Sequence, residues 1–175
     1  MNTKFLIVSA VAAMVAVGPA QASGGGLYLT ADYSHADSSN AAAVSFDGND
    51  NGLFVLQTFH SDGGQVGPNS LSVNIDGNFN GGPLNATFDV PLTSVGLAPG
   101  QLIQTGYDNT MAVTVSGGGS HNLFAASQTG AHNMLTAMIT GFGNQAAVSQ
   151  AGSGNTLSFT QNGNGNRLTV IQRSY

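Results

Sequence analysis

The sequence predicts an all-β solenoid, a stack of strand–loop–strand repeats forming two parallel sheets that face each other. Three observations predict it. Asn122, Asn133, Asn144, Asn155 and Asn166 recur at eleven-residue intervals. The residues between them alternate apolar and polar, as strands do. Each unit then closes on four turn-forming residues with glycine second. These are Thr129-Gly130-Ala131-His132, Thr140-Gly141-Phe142-Gly143, Ala151-Gly152-Ser153-Gly154 and Asn162-Gly163-Asn164-Gly165.

In full form the unit is N-x5-Q-x4. Six residues after each Asn stands Gln128, Ile139, Gln150, Gln161 or Gln172. If Asn and Gln point inward, Phe124, Ala126, Leu135, Ala137, Ala146, Val148, Leu157, Phe159, Leu168 and Val170 share their face. The expected core is Phe124, Leu135, Ile139, Val148, Leu157, Phe159, Leu168 and Val170. Ser and Thr dominate the other face, where Leu123, Met134, Met138 and Ile171 also point outward.

About seven residues at roughly 3.3 Å each make a strand near 23 Å long. The turn reverses the chain, two units complete a coil, and coils stack at about 4.7–4.8 Å. Identical amides then stand above one another, each donating and accepting. Asn122, Gln128, Asn133, Asn144, Gln150, Asn155, Gln161, Asn166 and Gln172 are the expected structural ladder. A lone buried amide would instead cost about 1–3 kcal/mol. A β-sandwich also spaces its strands at such intervals, but it does not need Asn at one position in five successive units.

The template extends backward. Asn40 and Asn51 are eleven apart, as are Asn69 and Asn80, and Asn109 opens another unit. Inward positions hold Ala42, Val44 and Phe46, then Leu53, Val55 and Gln57, then Leu71, Val73 and Ile75, then Met111, Val113 and Val115. A Gly-rich insertion spans 58–68. Residues 81–108, with Pro83, Pro91 and Pro99, look like a degenerate unit plus a loop.

The first residues are those of an export signal: Lys4, an apolar run from Phe5 to Val17, and small residues at Pro19-Ala20-Gln21-Ala22. The run is too short to span a membrane, and no later stretch is long enough. Removing residues 1–22 takes away one positive charge, Lys4, and moves the formal charge from −5 to −6. All eight acidic residues are Asp. That balance argues against nucleic acid and anionic membranes as partners. Absence of Cys excludes a disulfide framework and thiolate metal sites.

Two other chemistries have partial signals in the sequence. Asp47, Asn49, Asn51, Gly52 and Asp76, Asn78, Asn80, Gly81 follow the start of a calcium loop. The closing Glu is missing, with Thr58 and Thr87 in its place. A calcium-binding surface protein is therefore the alternative. His35, His60, His121 and His132 coexist with Ser and Asp, but no nucleophile elbow, zinc helix or carboxylate pair accompanies them. No catalytic, metal or cofactor site is expected.

From Asn122 to Gln172 the chain resembles the curlins, the subunits of bacterial curli, whose repeats follow S-x5-Q-x4-N-x5-Q. Gly67-Pro68-Asn69-Ser70 is similar to the start of a curlin repeat region. The match departs at Ile139, Phe46 and Ile75, which replace Gln, and at the Pro-containing stretch. The resemblance implies export through the periplasm and an outer-membrane channel, then assembly as extracellular amyloid serving adhesion and biofilm matrix. A nucleator and the channel are the implied partners beside self-assembly. The implied organisation is a signal at 1–22, a targeting or flexible segment at 23–39, divergent repeats at 40–80, an interruption at 81–108 and a regular amyloid core at 109–175. Growth is expected at the edge of the last unit, Asn166 to Gln172.

Overall fold

The computed structural model describes residues 40–60, 67–83 and 85–175, and the backbone of three strands nearer the start. Those three are β1 (Val8–Ser9), β2 (Met14–Val17) and β3 (Gly26–Tyr33). Ten more follow: β4 (Ala41–Asp47), β5 (Gly52–Phe59), β6 (Ser70–Asp76), β7 (Gln101–Tyr107), β8 (Thr110–Ser120), β9 (Leu123–Ala131), β10 (Met134–Phe142), β11 (Gln145–Ser153), β12 (Thr156–Asn162) and β13 (Arg167–Arg173). Leu92–Val95 makes a short 3-10 turn.

Odd strands form one sheet in the order β1-β3-β5-β7-β9-β11-β13, and even strands the other, β12-β10-β8-β6-β4-β2. Every pairing is parallel, so the chain winds as an all-β solenoid with two facing walls. In the last coils the repeat sets the register: Phe124 pairs with Ala146 and Ala146 with Leu168. Strands two units apart therefore stack with like positions superposed.

Local chemistry fixes the corners. The second turn residue has a positive φ throughout the regular units, as at Gly130 (φ 108). A Cβ there would lie 2.2 Å from the carbonyl oxygen of Gly152 in the next coil. Glycine is thus required twice, by backbone conformation and by the close approach of neighbouring arcs. The residue just before the next Asn is left-handed as well, with φ 58 at His121 and 55 at His132.

The core lies between the walls. Val44, Phe46, Val55, Val73, Ile75, Met111, Val115, Phe124, Leu135, Ile139 and Val148 are buried in one continuous cluster. Leu157, Phe159, Leu168 and Val170, on the last coil, pack against it but are only partly buried. All eight expected core residues thus face the interior.

The stretch 81–108 corrects the expectation of a degenerate unit. Gly52 pairs with Gly81, and Phe54 with Gln101. The chain leaves the coil after Gly81 and rejoins it at Gly100. Without residues 82–99, the sequence is Asn80-Gly81-Gly100-Gln101-Leu102-Ile103-Gln104, a complete N-x5-Q unit. Thr105-Gly106-Tyr107-Asp108 supplies its regular turn. The excursion is also not a free loop: Leu92 and Phe88 are buried against Ala125 and Ala147.

Residues 1–22, expected to leave as a signal, contribute the backbone of β1 and β2. The expected cleavage site lies outside the described residues, as does the segment 23–39 apart from the β3 backbone.

Candidate functional site: amide columns and an open coil

Two Asn columns run along the stack, one at each start of a wall. The first contains Asn40, Asn69, Asn109, Asn133 and Asn155; the second contains Asn51, Asn80, Asn122, Asn144 and Asn166. Each Oδ1 accepts from the backbone N–H of the next Asn. Asn122 Oδ1 takes Asn144 N at 3.0 Å and Asn144 Nδ2 at 3.0 Å. From Asn51 to Asn144 each column Nδ2 also crosses the corner to a turn glycine, as Asn144 Nδ2 does to Gly163 O at 2.9 Å. The position needs an acceptor and a two-handed donor on a short stem. Among the side chains only Asn provides both at that length.

The Gln column stands in the odd wall alone: Gln57, Gln104, Gln128, Gln150 and Gln172. Adjacent side chains bond at 2.8, 2.9, 2.9 and 2.8 Å in that order. Each Nε2 also spans the core to a carbonyl at the start of the opposite wall, as Gln128 does to Thr110 O at 2.9 Å. The Gln residues therefore tie the two walls together.

The columns have opposite polarity. Asn side chains donate toward the first coil, and Gln side chains toward the last. In both Asn columns Oδ1 receives the following coil, so the Oδ1 atoms of Asn155 and Asn166 lie at the sheet edge. Strands β12 and β13 are the outermost of their sheets. The open end thus combines two strand edges, two Asn acceptors and half-covered Leu157, Phe159, Leu168 and Val170.

One ladder residue does not join. Gln161 lies in the even wall over Ile139, where its Oε1 is buried with no partner. Its Nε2 still reaches Gln145 O at 3.0 Å. The spacing already implies this, since two units complete a coil and the residue twenty-two positions before Gln161 is Ile139, which has no amide to offer. Gln104 was missed because of the insertion before it. The signal that finds it is Gln104 followed by Thr105-Gly106-Tyr107-Asp108 and then Asn109.

The calcium-loop residues are otherwise engaged. Asn51 and Asn80 are buried in the second column, Asn49 N–H donates to Asn78 Oδ1, and Asp76 accepts from Gly118 N–H. Among the described residues no three His, Asp or Glu side chains gather to hold a metal ion. His121 stacks between Phe79 and Phe142, with ring centroids 4.9 and 4.8 Å away. His132 lies beside Tyr107, its Nδ1 3.7 Å from Asp108. His35 lies outside the described residues. A half-open groove of about 570 Å³ between Phe54, Phe79, Pro83 and Pro99 carries one ionisable side chain, Asp50.

Comparison with protein-family models, with curated proteins and with solved structures finds no match.

Proposed function

We propose that this chain is the structural subunit of an extracellular curli-type amyloid fibre serving adhesion and biofilm matrix. The observation that carries the reading is the in-register parallel stack itself, in which the same donors, acceptors and apolar side chains recur from coil to coil up to the edge strands β12 and β13. Parallel, in-register strands with amide columns are the chemistry of cross-β stacks. A second copy seated in the same direction continues it, its Asn40 N–H donating to Asn155 Oδ1. Copies related by such a step form an open filament. Loss of residues 1–22 on export takes away β1 and β2, and seating β4 over β12 requires β3 to give up its place beside β5 to β13 of the other copy. The proposed partners are other copies, a nucleator and an outer-membrane secretion channel, with no nucleic acid, membrane insertion, cofactor or catalysis.

The test is assembly of purified residues 23–175. Thioflavin-binding fibres that diffract near 4.7–4.8 Å along their axis are expected. A protein that stays monomeric for days at about tens of micromolar, a concentration at which exposed strand edges associate, would overturn the proposal. The calcium-binding alternative predicts heat on titrating calcium into soluble monomer, and no fibres.

A further inference from the structure

We propose that residues 82–99 are a built-in shield over a sheet face that would otherwise pair with the same face of a second copy of this chain. The pairing between filaments rests on the fibre reading; the masking of the face in a single molecule does not.

The outward side of the odd wall is apolar where the insertion lies on it. Leu123 and Ala125 of β9 and Ala147 of β11 point away from the core. Yet Ala125 is 2% exposed and Ala147 0%. Phe88 and Leu92 cover them, with Val95 and Leu97 packed alongside. Ala125 and Ala147 are register partners, and Thr169 continues their row on β13. On β9, β11 and β13 this is a row of small side chains, which gives way to Gln101 and Phe54 on β7 and β5. Such a row allows another sheet to approach closely and interdigitate without water.

The insertion is fastened as well as packed. Asp89 N–H donates to Gln145 Oε1 at 2.9 Å, and Gln145 Nε2 returns a bond to Asp89 Oδ2 at 2.8 Å. Arg167 Nε adds a third at 3.1 Å. The segment is therefore held across β11 and β13. The outward side of the even wall differs. Thr110, Thr136, Ser158 and Thr160 line it, Met134 and Met138 stand among them, and all six are exposed. An apolar row and a cover for it coincide on the odd wall.

The geometry also makes the insertion removable. Its ends meet: a Cβ on Gly82 would stand 2.1 Å from the Pro99 carbonyl oxygen, and one on Gly100 2.8 Å from Gly82 N. Excision joins Gly81 to Gly100 and regains a standard repeat unit.

Three proteins decide the matter: the parent chain, a deletion of 82–99, and Phe88→Ser with Leu92→Ser, which keeps the backbone but loosens the cover. Each is examined fresh and soluble for apolar-dye fluorescence and sedimentation, then after assembly for filament width by electron microscopy. The expectation is a several-fold rise in dye binding for both variants, dimers in sedimentation, and paired or bundled filaments where the parent gives single ones. Dye binding, sedimentation and width equal to the parent in both variants would overturn the shield. A rise in dye binding without self-association would overturn the pairing. If none of the three makes filaments while the variants still bind dye and dimerise, the fibre reading fails and the shield stands.

Discussion

Gln161 sits directly over Ile139, and its side-chain oxygen faces an apolar neighbour that has nothing to donate. Eleven residues earlier, Gln150 bonds Gln128 on one side and Gln172 on the other. The two residues look alike in sequence and should respond oppositely. Gln161→Leu removes an orphaned acceptor and one hydrogen bond, so stability should hold or rise by up to about 1 kcal/mol. Gln150→Leu strands partners in two directions and should cost about 2–4 kcal/mol. Denaturant unfolding of soluble monomer distinguishes them.

Position within a column sets the value of an Asn. Asn144→Ala removes the acceptor used by Asn166 N and Nδ2, and the donor to Gly163 O. Asn166→Ala removes donations only. The first should cost about 2–4 kcal/mol and the second about 1 kcal/mol. Equal losses would show that the column bonds are not what stabilises the corners.

Two turn glycines make a second contrasting pair. Gly130 has φ 108 and backbone 2.2 Å from any added Cβ, whereas Gly143 has φ 67 and open space. Gly143→Ala should cost about 1 kcal/mol, the penalty for a left-handed alanine. Gly130→Ala should cost several-fold more, because the adjacent arc must move. Thermal unfolding of both variants gives the comparison.

Acid should release the insertion. The Arg167 hydrogen bond, then that of Gln145, holds the Asp89 carboxyl below its ordinary value. A carboxylate lowered in the folded state stabilises at pH above its unfolded value, near 3.9, and that contribution disappears as pH falls through the folded value. Amide protection in 85–99, taken relative to the unfolded exchange rate at each pH, should therefore fall in acid. Asp89→Ala should exchange quickly at neutral pH too. A pH-independent parent would separate the carboxylate from docking.

The growth edge can be tested by replacing Thr169 and Val170 together with Pro. Successive N–H groups along β13 point to alternate sides, so one of two adjacent prolines removes a donor from the exposed edge. The variant should stop at monomers or small oligomers and slow parent fibres at substoichiometric amounts. Growth at the parent rate would exclude this edge.

The wall-to-wall winding was legible because Asn is needed at each corner for a reason that leaves no substitute, and ten such Asn lie in sequence. The alternation around Phe124 to Val170 likewise marked the interior. Two features were not legible. Gln104 lies in a unit split by eighteen residues, 82–99, so a search for even spacing passes over it. The docking of Phe88 and Leu92 depends on Ala125 and Ala147, which resemble ordinary strand filler until a distant segment covers them. Contacts of that kind carry no local periodicity.

The direction of the backbone relative to the stack has a mechanical consequence. Each coil runs across the long axis, so tension along that axis is borne by hydrogen bonds and apolar contact, not by peptide bonds. Between any two neighbouring coils the strand ladders and Asn columns are loaded side by side and must yield together. The Gln column reinforces only the odd wall, while the even wall opposite has Phe46, Ile75, Val115 and Ile139 at that level. A crack between coils should therefore open at the even wall and hinge about the glutamines.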